Sequence, residues 1–175
     1  AAMLTGKYGF RTGVGSAGGI LQNNETLIQK YITDKTNNAY SSAVIGKWHV
    51  SSGNNLTAPE SFGIPYYSGF LVGAVPSYYN WTQTTNGIQQ TVTTYTTTQF
   101  INQSVSWIKQ QQKPFFLWLA LNAPHTPFHR PPLNLISDKR GINRRFGGSL
   151  AYSYHLKIND DTKKNCNKLS IINKI

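Results

Sequence analysis

Two short stretches hold the side chains best suited to chemistry on an anionic group: Gly46-Lys47-Trp48-His49 and Asn122-Ala123-Pro124-His125. Lys47 and His49 are two residues apart, so in an extended backbone they share one face. A cationic pair placed that way can grip a single anion. His125 follows an uncharged run in which seven of the eight residues from Phe115 to Asn122 are large apolar residues or Ala. The run breaks at Asn122-Ala123-Pro124, which sets His125 just past the C-terminal end of an expected strand. Open α/β sheets bind their ligands at that edge. Taken singly, each stretch also fits a plain strand end that carries a surface lysine or histidine.

The elements that must position these residues follow from periodicity. Phe115–Leu121 is a short continuous apolar run, which suits a strand buried on both faces of a sheet. Ala39–Ile45 reads as a second short strand running straight into Gly46 and Lys47. Glu25–Asp34 has helical spacing, with Leu27, Ile28, Tyr31 and Ile32 as its apolar stripe and Asn24 as N-cap. Thr97–Gln111 is a second helix that should bury Phe100, Ile101, Val105 and Ile108. Ala1–Leu4 reads as the last turn of a helix, ended by Gly6 in a left-handed conformation. Lys7–Gly19 is a Gly-rich connection without the G-x-x-x-x-G-K-[ST] spacing of a phosphate loop.

Between the two strands the chain makes a long excursion. Val50–Asn80 is loop-rich, and its tyrosines have two readings. Tyr66, Tyr67, Tyr78, Tyr79 and Trp81 either line a cleft for a carbohydrate or aromatic substrate, or pack long loops onto the core. Asn86-Gly87 inside a Thr- and Gln-rich stretch predicts a hairpin. Helix, strand, excursion, helix, strand is the order of an α/β fold with a mainly parallel central sheet flanked by helices.

Length and charge narrow the function classes. The chain has 175 residues, enough for one domain with a sizeable core. Its formal net charge of +11 is unevenly spread. Residues 1–138 hold eight Lys/Arg and four Asp/Glu, whereas residues 139–175 hold nine and two. A basic tail that adds charge without adding core explains the excess, so no nucleic-acid partner is expected. No apolar run approaches the ~18–20 residues of a membrane span, so no membrane partner is expected either. The single Cys166 excludes an internal disulfide and a multi-cysteine metal site. Sequons at Asn24, Asn55, Asn80 and Asn102 occur at about the chance frequency for this composition and do not establish secretion.

Read together and in order, AAMLTGKYGFRTGV, AVIGKWHV, a YYNWT…NG loop and PFFLWLALNAPHTPFHRPP resemble the sulfatase family, specifically its arylsulfatase-type members. The resemblance covers about residues 1–135. It implies an alkaline-phosphatase-like α/β fold, incomplete in this chain, and hydrolysis of a sulfate ester, aryl or carbohydrate. By motif, Lys47 would hold the nucleophile and the sulfate. His49 would be the base that collapses the sulfated intermediate. His125 would contact the sulfate and assist departure of the leaving group. His129 and Arg130 fall outside that catalytic pattern. The implied compartment is secreted, periplasmic or lysosomal, and the oligomeric state is left open.

The resemblance also implies parts that are missing. The nucleophile is a formylglycine made within a C-x-P-S/T-R signature, and it would precede Ala1, as would an Asp pair that binds a divalent cation such as Ca2+. Calcium takes about six to eight oxygen ligands. The acids before the tail are only Glu25, Asp34, Glu60 and Asp138, so no metal site is expected here. Residues 1–138 are therefore expected to be a catalytic-domain fragment that is inactive alone. Residues 139–175 form a basic tail of diverged or out-of-frame origin. The alternatives are a phosphoester hydrolase of the same superfamily and a non-catalytic module that binds sulfated glycans.

Overall fold

The computed structural model describes residues 1–135. Five strands form one mixed sheet: Ser41–Lys47 (β1), Tyr67–Phe70 (β2), Trp81–Thr85 (β3), Ile88–Val92 (β4) and Phe115–Ala120 (β5). Their spatial order is β4-β3-β2-β1-β5. β1 pairs in parallel with β2 on one side and with β5 on the other. β3 joins β2 antiparallel and turns back into β4 as a hairpin. Asn86 and Gly87 both take positive φ at the turn, as a tight two-residue hairpin loop requires. Asn86 also accepts the Tyr67 N–H on its side-chain oxygen at 2.8 Å, tying the turn to the start of β2. The C-terminal stretch 139–175 lies outside the described residues.

Period-two alternation divides the core between the two faces of the sheet. Ala43 and Ile45 of β1, with Leu117 and Leu119 of β5, face a cluster built on Phe100 and Trp107. Those two residues come from Thr96–Lys109 (α5 in chain order), the long helix that covers this face. Val44 and Trp118 face the opposite cluster, which includes Leu4, Leu21, Leu27, Phe62 and Tyr67. β1 and the end strand β5 are thus covered on both faces, which is why they read as continuous apolar runs. The helices before α5 are short: Ala2–Thr5 (α1), Gly9–Thr12 (α2), Ile28–Lys35 (α3) and Ala58–Ser61 (α4).

Several expectations need correction. α3 starts at Ile28, three residues later than expected, and Asn24 is not its cap. Leu27 stays extended and drops fully into the core, while Glu25 is held by Lys7 at 2.7 Å, so neither continues the helix. Tyr31 is 55% exposed and leaves the stripe. Lys7–Gly19 contains one helical turn, α2, where connection alone was expected. On α5 the buried face centres on Phe100, Ser104 and Trp107, with Ile101 and Ile108 at its margin. The excursion also hides β2. Its glycine weakens the strand signal, yet Gly69 is required, because a Cβ there would stand 1.8 Å from the Gly46 oxygen.

Three of the five aromatic residues singled out in the excursion are core rather than cleft. Tyr67, Tyr78 and Trp81 are 0%, 1% and 2% exposed, and a ring that lines a cleft must keep one face open.

Candidate functional site

Gly46, Gly69 and Ala120 lie in register across β2, β1 and β5, at the carboxyl ends of the three parallel strands. The backbones approach so closely that a Cβ on Gly46 would fall 2.0 Å from the Ala120 oxygen. Gly46 has φ +111, a conformation that L side chains rarely adopt. Only glycine fits here, and its kink ends β1 at Lys47.

His49 does not reach its position by extended alternation. Its φ is 51, so the extended backbone on which a shared face with Lys47 was expected does not hold at His49. The left-handed turn follows from two neighbours of β2: the Trp48 N–H bonds the Phe70 oxygen at 3.0 Å and the His49 N–H bonds the Leu71 oxygen at 3.1 Å. Following that path, the His49 ring comes to lie over Gly73. A non-glycine residue held at positive φ costs of order 1–3 kcal/mol and persists where its surroundings over-determine it.

His125 lies five residues beyond Ala120, the last residue of β5, so it stands at the same sheet edge as Lys47. Its N–H bonds the Asn122 oxygen at 2.8 Å, and its carbonyl accepts the Tyr78 hydroxyl at 2.7 Å. The exposed imidazole has Nδ1 3.0 Å from the Thr126 carbonyl and 3.2 Å from the Thr126 hydroxyl. A carbonyl can only accept, so Nδ1 carries the proton in the neutral ring and Nε2 presents a lone pair.

The loop that bears His125 is fastened by Tyr78 and Tyr79, two of the excursion's tyrosines, and by Tyr95, which the sequence did not single out. His129 stacks on Tyr78 with ring centroids 3.5 Å apart, and its Nε2 is 3.0 Å from the Tyr95 hydroxyl. The Tyr79 hydroxyl donates to the Arg130 carbonyl. Burial, followed by the nearby Tyr95, pushes the Tyr78 hydroxyl well above the usual tyrosine range, so it remains a donor. The available signal was the Tyr-Tyr pair itself, whose favoured reading was the packing of long loops onto the core.

The described residues do not fit a divalent cation. Among the described residues no group of three or more His, Cys, Asp or Glu could hold a metal ion. Glu25 pairs with Lys7, and Asp34 pairs with Lys30 at 2.9 Å. No helix among the described residues is long and apolar enough to cross a membrane.

Comparison with known proteins gives this arrangement a context. A sequence model of the family described as Sulfatase matches residues 1–147, which runs past Asp138 into the basic stretch. The uncharacterized sulfatase YdeN of Escherichia coli strain K12 is 26% identical over 157 residues, covering 75% of this chain and 28% of that protein. The crystal structure of Ps i-CgsB in complex with k-i-k-neocarrahexaose aligns with a TM-score of 0.61 at 27% identity, covering 74% of this chain and 35% of that one. BT4656 in complex with its substrate D-glucosamine-2-N,6-O-disulfate aligns with a TM-score of 0.59 at 22% identity, covering 82% and 30%, a likeness of fold. The sheet with its flanking helices is thus that of the alkaline-phosphatase-like domain of sulfatases. The chain spans about a third of the length of these relatives.

Proposed function

The chain belongs to the sulfatase family, and from that membership we propose that it carries one side of a pocket for hydrolysing a sulfate ester, with Lys47, His49 and His125 as its working residues. One observation supports this above the others. Lys47 ends β1 and His125 follows β5, two strands that are hydrogen-bonded neighbours and parallel. Such an edge is where open α/β sheets bind ligands. The left-handed backbone at His49 adds to it, since strained conformations of this kind cluster at functional sites.

In this reading Lys47 supplies a fixed positive charge to the sulfate oxygens. A cation already oriented toward a developing oxyanion stabilises the transition state more than the ground state. His125, with its Nδ1 proton committed to Thr126, meets the ester through Nε2. When protonated there, it donates to the departing alcohol oxygen. His49 offers a second imidazole as a proton acceptor beside the bound sulfate. The C-x-P-S/T-R motif in which a formylglycine nucleophile is made does not occur among these 175 residues. Residues 1–138 form the catalytic-domain portion and 139–175 a basic tail. The substrate class is an aryl or carbohydrate sulfate, and the compartment is secreted, periplasmic or lysosomal.

Calorimetric titration with a sulfated sugar, its desulfated parent and the matching phosphate tests the reading. Binding of the sulfated sugar that is lost in Lys47→Ala is expected, with no turnover of a chromogenic aryl sulfate by this chain alone. Equal binding of the desulfated sugar would sink the reading.

A further inference from the structure

Tyr78 is 1% exposed, and its hydroxyl reaches two carbonyls, His125 O at 2.7 Å and Asn122 O at 3.1 Å. Carbonyls only accept, so the single hydroxyl proton is directed mainly at His125. Two aromatic contacts fix the phenol ring in turn: Tyr95 stacks at 6.0 Å and His129 at 3.5 Å between centroids. His129 is locked as well. Its Nδ1 lies 3.2 Å from the Pro127 carbonyl and must carry the proton, which leaves Nε2 to accept the Tyr95 hydroxyl.

The consequence falls on one peptide plane. The His125 carbonyl belongs to the peptide that leads into Thr126, and the Thr126 carbonyl is the acceptor that fixes the His125 ring. Holding the first carbonyl fixes the peptide plane from which the Thr126 backbone carries the second. We propose that Tyr78 is a positioning residue for His125, its hydroxyl holding the His125–Thr126 peptide so that the imidazole keeps one tautomer and one direction. The role in sulfate binding rests on the function proposed above; the role in fixing the ring does not.

Tyr78→Phe removes only the hydroxyl and keeps the stacked ring. Long-range proton–nitrogen correlation of the histidine rings reads the tautomer directly, with amide exchange read on the same samples. The wild-type chain should show His125 with Nδ1 protonated. Tyr78→Phe should mix the two tautomers and speed exchange of the His125 amide about fivefold, the loss of one net hydrogen bond. Tyr79→Phe, whose hydroxyl serves Arg130, should leave the His125 ring as in wild type. An unchanged His125 in Tyr78→Phe, or an equal change in Tyr79→Phe, would overturn the assignment.

Should Tyr78→Phe fail to fold, the wild-type Tyr78 hydroxyl proton decides. It should exchange slowly enough to be seen, and its absence overturns the proposal. Adding inorganic sulfate separates the two readings. If sulfate leaves wild-type His125 unmoved, the sulfate-pocket reading fails while the tautomer result stands.

Discussion

The imidazole of His49 lies directly over the backbone of Gly73: a methyl group on Gly73 would come within 2.8 Å of both Cε1 and Nε2. The contact is with the far end of a side chain, so the ring can swing aside. Gly73→Ala should therefore change stability by no more than about 1 kcal/mol while displacing the ring. Paired measurements of melting temperature and of sulfate-induced shifts at His49 check this. A large loss of stability, or an undisturbed His49, would contradict it.

Much of this was legible beforehand, and the misses have physical causes. β1 and β5 announced themselves because both faces are buried, and Asn86-Gly87 because only a few residue pairs make that turn. β2 did not, since close packing against Gly46 demanded a glycine that lowers strand propensity. Lys47 and His125 were found at strand ends, but the route of His49 was misjudged, as a single left-handed residue leaves no trace in period-two spacing. The fastening of His125 by Tyr78 joins residues 47 positions apart. No local pattern encodes a contact of that separation.

Gly46 offers the opposite case to Gly73. Its neighbour at 2.0 Å is backbone, and its φ of +111 excludes most side chains. Gly46→Ala should cost more than about 4 kcal/mol, the range reserved for core overpacking and forbidden backbone. Domains of this size are stable by only about 5–15 kcal/mol. Chemical denaturation should show a lost or strongly shifted transition, and Gly69→Ala, at 1.8 Å from the Gly46 oxygen, should behave alike. A near-wild-type melt for either would refute the packing described.

Stability should fall in alkali as buried tyrosines are forced to ionise. Burial raises the Tyr67 hydroxyl well above the ordinary value of 10.0, with Glu60 adding to the effect, and raises Tyr78 likewise. In the unfolded chain both ionise near 10, so above that pH the unfolded state binds fewer protons and gains on the folded one. The contribution is complete below about pH 10 and is lost as pH climbs toward the folded values. Denaturation midpoints from pH 8 to pH 11.5, with tyrosinate absorbance, should show at least two tyrosines ionising only on unfolding. Midpoints flat across that range would contradict the burial.

The most direct test of the sulfate pocket is a titration of the chain with inorganic sulfate, with chloride at matched ionic strength as the reference, watching the ring nitrogens of His49 and His125 together. The account predicts that both histidines shift along one common saturating curve and that Lys47→Ala abolishes it. Shifts at only one histidine, separate curves, or an undiminished response in Lys47→Ala would contradict it.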